Sequence, residues 1–88
     1  MRSVFMYTLS TCPWCRKAKK YFTDHNVPFQ FIDYDLQSPE EQQKIEQAML
    51  ERGGPLSFPW VVIGDDVIVG WNPARYDELL GLSQAKER

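Results

Sequence analysis

The chain has 88 residues, 43% of them hydrophobic and 25% charged, with a net charge of −2. That is enough for one small domain with one core, and its charge gives nucleic-acid binding no electrostatic support. No apolar run approaches the ~18 residues of a membrane span, and Met1-Arg2-Ser3-Val4-Phe5 lacks the apolar stretch and small-residue cleavage site of a leader, so one cytoplasmic domain over residues 1–88 is expected.

Ser3-Val4-Phe5-Met6-Tyr7-Thr8-Leu9 is rich in aromatic and β-branched residues. It is too continuous for a strand buried on one face, which predicts a central strand covered on both. Ser10-Thr11-Cys12-Pro13-Trp14-Cys15 follows and holds the only two cysteines. Proline is tolerated in a first helical turn, where its missing N–H would be unpaired anyway. Cys12 is therefore expected at a helix N-terminus and Cys15 within the first turn. The free N–H groups and the positive end of the helix dipole stabilise a thiolate at Cys12, the species that attacks a disulfide. Cys15 is then placed to attack the mixed disulfide and release the reduced partner.

A strand, then C-x-x-C, then a helix is the context that makes the motif redox-active, above all in a cytosolic chain. Three other readings compete. A structural disulfide closing so short a loop constrains the unfolded chain little. An intramolecular zinc site normally needs four ligands, and here there is no second cysteine pair and His25 is the only histidine. Two inert buried thiols are the third.

The first helix is predicted over 13–25, with Cys15, Ala18, Phe22 and His25 on one stripe and Tyr21 beside it. Arg16, Lys17, Lys19 and Lys20 read as a solvated face; alternatively, Arg16 or Lys17 adds positive field near the thiolate or meets an acidic partner. His25 reads as a helix-end residue that complements the dipole. Asn26 is a left-handed cap candidate, and Pro28 stops the helix. Phe29-Gln30-Phe31-Ile32-Asp33-Tyr34 reads as a second strand, parallel to the first through a right-handed crossover. Ser38-Pro39-Glu40-Glu41 opens a second helix with a capping box. Ile45, Ala48 and Met49, with Arg52 continuing the face, form its inner stripe, and Gly53-Gly54 ends it. Trp60-Val61-Val62-Ile63 and Val67-Ile68-Val69-Gly70-Trp71 read as a hairpin about Gly64-Asp65-Asp66. Asn72-Pro73 opens a last helix with Tyr76, Leu79 and Leu80 inward and Gly81 as its cap. Residues 83–88 read as a frayed polar tail.

Tyr7-Thr8 before Thr11-Cys12-Pro13-Trp14-Cys15, then Ala18-Lys19, resembles the active-site segment of dithiol glutaredoxins. Those proteins usually have Cys-Pro-Tyr-Cys, so Trp14 is an aromatic-for-aromatic change. Phe58-Pro59 resembles their cis-proline site. The resemblance implies a thioredoxin-like α/β fold, with a four-stranded mixed sheet and three helices in the order β-α-β-α-β-β-α. It makes Cys12 the attacking thiol and Cys15 the resolving thiol, with Pro59 cis and the Phe58 backbone beside Cys12. Thr11, Pro13, Trp14, Arg16, Phe58, Pro59, Gly70 and Trp71 are the expected substrate-binding residues.

The chain departs from that pattern in three places. Leu9 stands where many glutaredoxins carry a lysine that contacts a glutathione carboxylate. Gly70 is followed by Trp71-Asn72-Pro73, so the usual second glycine and acidic residue are absent; this stretch is similar to glutaredoxin-like hydrogen donors of ribonucleotide reductase, which take electrons from thioredoxin reductase. Trp60 is bulky for a glutathione groove. Trp14, Phe58, Trp60 and Trp71 are expected to gather at the thiols, with at least one tryptophan in the core. The expected activity is reversible disulfide reduction by a monomer. Glutathione is the first-choice co-substrate, disulfide-containing proteins are the other partners, and no cofactor is tightly bound. A thioredoxin-reductase-dependent redoxin is the runner-up. A dimer around an iron–sulfur cluster is less favoured because Pro13 opposes it, and a zinc-bridged dimer is a weaker variant.

Overall fold

β1 (Val4–Thr8) lies inside a sheet of order β2-β1-β3-β4, where β2 is Gln30–Asp33, β3 is Trp60–Ile63 and β4 is Asp66–Val69. The computed structural model describes residues 3–81; residues 1–2 and the tail at 83–88 expected to fray lie outside the described residues. β1 pairs with β2 in parallel, Thr8 opposite Asp33, and with β3 antiparallel, Tyr7 opposite Trp60. β3 and β4 form an antiparallel hairpin. The parallel pair needs a crossover, and α1 (Pro13–Asp24) supplies it. α2 (Pro39–Glu51) joins the β2 side to β3, and α3 (Pro73–Leu80) follows β4. This is the four-stranded mixed sheet with three helices that the resemblance implies.

Strand alternation divides the interior into two layers. Val4, Met6, Val61, Ile63 and Ile68 meet Ala18 and Phe22 of α1 and Tyr76 of α3 on one face. On the other face, Ile45 and Met49 of α2 bury Trp60, with Tyr7, Ile32, Val62, Val67 and Val69 partly covered around them. The second layer has one helix and a narrow apolar stripe, and is the thinner of the two.

Helix ends follow local chemistry. Ser38 Oγ accepts from the Glu41 N–H at 3.2 Å, but the Glu41 carboxylate lies 3.5 Å from Lys44 Nζ instead of closing the capping box. Asn72 Oδ1 caps α3 through the Arg75 N–H at 3.2 Å, and Gly81 ends it in the left-handed region at φ 70°. Asn26 is left-handed, at φ 57°.

Three strands are shorter than their patterns predict, β1 by one residue at each end. β2 stops at Asp33 because Tyr34–Leu36 turns into a single 3-10 turn, which α2 captures through Glu46 on the Tyr34 hydroxyl and through Gln42 on the Tyr34 carbonyl at 3.1 Å. As an edge strand it leaves Phe31 44% exposed. β4 stops at Val69 because Gly70, at φ 96°, turns the chain out of the sheet.

Candidate active site

The end of β1 delivers the Leu9-Ser10-Thr11 loop to the start of α1, and the Cys12 N–H bonds the Leu9 carbonyl at 3.2 Å. Cys12 is the N-cap of α1, with extended backbone and no side-chain capping bond, and Pro13 takes the first helical position. An N-cap side chain faces the N–H groups of the second and third helical residues, here Trp14 and Cys15, and these amides suit an anion. Cys12 is partly exposed. Cys15 is 0% exposed and its sulfur accepts the Leu9 N–H at 3.4 Å. Burial pushes the Cys15 thiol up to about 12, and the Cys12 thiol adds to the rise by hydrogen bonding and charge. The Leu9 N–H and the Lys19 ammonium act in the opposite direction. Both thiols are free.

Two carboxylates brace the loop from the β2 side. Thr8 is fully buried; its hydroxyl donates to Asp33 Oδ1 at 2.5 Å, and Lys19 Nζ meets the same oxygen at 3.2 Å. Two residues further along each of the two segments, Asp35 accepts the Ser10 N–H at 2.8 Å and the Ser10 hydroxyl at 2.6 Å. Those bonds hold the Asp35 carboxyl below its usual range.

On the β3–β4 side, Trp14, Phe58, Pro59, Gly70 and Trp71 line a groove of about 280 Å³. The Phe58–Pro59 peptide is cis. The Gly70 N–H bonds the Pro59 carbonyl at 2.8 Å, and the buried Tyr76 hydroxyl bonds the Gly70 carbonyl at 2.6 Å. Trp71 rests edge-on against Tyr21 and Tyr76, each ring centre 5.9 Å away. Trp14 is 52% exposed, and Lys17 Nζ lies 5.1 Å from its ring centre and 6.0 Å from that of Trp71.

Five of the expected substrate-binding residues thus line one hollow; Pro13, at the first position of α1, is exposed and is not among them. Thr11 and Arg16 are exposed and line no part of it. Trp60 is a correction. It is 1% exposed and packs with Ile45 and Met49 beneath α2. Alternation along β3 turns it to the face away from Cys15, where Phe58 packs against the same cluster, and it lines no part of the groove. Sequence reasoning missed the Asp35 brace and the Tyr76 hydroxyl. The parallel register carries a signal for the first: with Thr8 opposite Asp33, Ser10 and Asp35 are the pair two residues on. Among the described residues, no group of three or more His, Cys, Asp or Glu could hold a metal ion, and no helix is long and apolar enough to cross a membrane.

Comparison with known proteins matches residues 4–68 to the family model for glutaredoxin. A glutaredoxin-like 8.6 kDa protein in the rubredoxin operon of Clostridium pasteurianum is 29% identical over 75 residues, covering 85% of this chain and 93% of that one. The crystal structure of glutaredoxin grx-1 from Archaeoglobus fulgidus superposes with a TM-score of 0.82 at 35% identity, over 91% of this chain and 87% of that one. The methanoredoxin of Methanosarcina acetivorans superposes at 0.80 with 38% identity, over 90% and 84% of the two chains.

Proposed function

The chain belongs to the glutaredoxin family of thiol oxidoreductases, and from that premise we propose that it reduces disulfides by two-step exchange, with Cys12 attacking and Cys15 resolving. The observation that carries the assignment is the unequal access of the two sulfurs. Cys12 is partly exposed at the helix N-terminus; Cys15 is sealed beneath it.

In the first step the Cys12 thiolate attacks one sulfur of the substrate disulfide. The substrate S–S bond breaks, its second sulfur leaves as a thiolate and takes a proton, and Cys12 holds the first in a mixed disulfide. In the second step Cys15 loses its proton and attacks the Cys12 sulfur. The mixed disulfide breaks, the remaining substrate sulfur leaves reduced, and the two electrons given up stay recorded as a Cys12–Cys15 disulfide. The order is built into the Cys15 proton affinity. While Cys12 is free, its thiol and charge help hold the Cys15 proton. Once Cys12 is bonded to substrate those influences vanish, and the Leu9 N–H and Lys19 oppose burial alone.

Glutathione is the proposed reductant, as a co-substrate; the groove that includes Trp14 of the Cys12–Cys15 motif, with aromatic walls at Trp14 and Trp71, suits a short extended thiol peptide. A specific observation favours thioredoxin reductase as the second reading. The residues leading to Cys12 on the β2 side carry no cation for a glutathione carboxylate: Leu9 is apolar and Ser10 is bound to Asp35.

A coupled assay of NADPH consumption tests both. One arm contains glutathione and glutathione reductase, the other thioredoxin reductase, each with a glutathione mixed disulfide and a protein disulfide as substrates. Turnover confined to the first arm establishes glutathione; turnover confined to the second establishes the alternative. Cys12→Ser is expected to abolish exchange in either arm. Cys15→Ser is expected to accumulate the mixed disulfide, visible as an adduct by intact mass. Full turnover by Cys12→Ser would reverse the assignment of roles.

A further inference from the structure

Trp71 borders two hollows. On one side it walls the groove described above. On the other it closes a second cleft, about 360 Å³, lined also by Lys17, Lys20, Tyr21, Asp24 and His25. Lys17 stands at the junction, over the rings of both Trp14 and Trp71. Lys20 is paired with Asp24 at 2.9 Å. Lys17 and the neighbouring Arg16 have no carboxylate partner among the described residues. Across β1 in the sheet order the sign reverses, since the exposed Asp35 carboxylate is fixed at Ser10. The end of the sheet that bears Cys12 is therefore acidic on its β2 flank and basic on its α1–β4 flank.

We propose that the groove and the second cleft form one docking track for an acidic polypeptide, the disulfide-bearing segment of a protein substrate, with a carboxylate side chain seated at Lys17. The proposal rests on the exchange reading for Cys12. Charge complementarity selects the occupant. An acidic segment is repelled at Asp35 and attracted at Lys17, so it enters in one direction and lies across Trp71. The faces of Trp14 and Trp71 take up its apolar surface, and the exposed Lys17 ammonium beside the two rings receives the carboxylate.

The test uses single-turnover exchange by the reduced full-length protein. Its substrates are peptides of one length, each with a central cysteine disulfide-bonded to 2-thiopyridine and flanked by glutamate, glutamine or lysine. Dipyridyl disulfide, small and uncharged, tests the exchange reading alone, and failure to react with it would sink that reading. The glutamate peptide is expected to react about two- to fivefold faster than the glutamine peptide, the range for one exposed charge pair. The preference should shrink as salt shortens the screening length below ~10 Å, vanish in Lys17→Gln and invert in Lys17→Glu. Reaction with dipyridyl disulfide but equal rates for the three peptides would overturn the docking proposal and leave the exchange chemistry standing. So would an acidic preference that survives Lys17→Glu. Dependence on Lys17 for the glutathione mixed disulfide but not for the glutamate peptide would overturn it as well, by assigning the contact to a small ligand.

Discussion

Cys15 holds its proton up to about 12 against an ordinary 9.0, first because it is buried and then because Cys12 lies beside it. A group whose folded value is raised contributes stability that is complete below its unfolded value and lost as pH rises through the folded one. The reduced protein is therefore expected to lose stability between about pH 9 and about pH 12, as the unfolded chain releases a proton that the native chain still holds. Tyr76, raised by burial from 10.0 to about 12, acts in the upper part of the same window. Urea midpoints of the reduced protein across this range check the prediction. Cys15→Ala should flatten the fall from pH 9 while leaving the share of Tyr76. An equally steep fall in that variant would place the effect elsewhere. The same burial accounts for the order of the proposed chemistry, since it closes Cys15 to an incoming disulfide while Cys12 is partly exposed.

At the scale of the element, the groove owes its shape to the exit from β4. Gly70 leaves the sheet at φ 96°, its N–H is held by Pro59 and its carbonyl by Tyr76. Trp71 thus follows directly on a residue tied through both its N–H and its carbonyl to buried parts of the fold. Tyr76→Phe keeps the ring and removes the hydroxyl, leaving a partly buried carbonyl without its donor. The expected cost is about 1–3 kcal/mol, together with faster hydrogen exchange at the Gly70 amide and altered tryptophan emission. Unchanged stability and exchange would mean that the Pro59 contact alone fixes this wall. Local sequence chemistry made much of this element readable. Asn72 and Pro73 announce α3, but the strand pattern runs on through Gly70 and Trp71, so the departure from β4 at Gly70 was not readable. The destination of the Tyr76 hydroxyl was not readable, because a helix stripe says which residues face inward and not which carbonyl lies opposite.

At the scale of the molecule, the two layers differ in what they do. The α1–α3 layer supports the thiols from below, while the α2 layer closes the far face of the sheet around Trp60. Trp60→Ala is therefore expected to destabilise by about 3–5 kcal/mol, the cost of emptying a buried aromatic site, measured by thermal or urea unfolding. Trp71→Ala removes a half-buried wall of the groove and should weaken peptide exchange more than it lowers stability. Equal stability losses in the two variants would contradict this division of the tryptophans.

What the sequence determined by itself is whatever depends on residues close together in the chain. The Cys12-Pro13-Trp14-Cys15 motif at a helix start, the caps at Ser38 and Asn72, the strand patterns and their connection order all follow from short-range periodicity and backbone preference. With the parallel crossover they give a βαβ unit and a hairpin; the resemblance to glutaredoxins joined these into one mixed sheet, and the structure supplied its order. Only the tertiary structure decided which side of that sheet each aromatic serves. Alternation gives relative facing within a strand, but helix packing decides which face receives the thiols and which receives α2, and so Trp60 became core while Trp14 and Trp71 became groove. The Asp35–Ser10 brace arose the same way. Its partners are 25 residues apart, and their meeting depends on the strand register, which is set by the burial of the whole sheet and not by either residue.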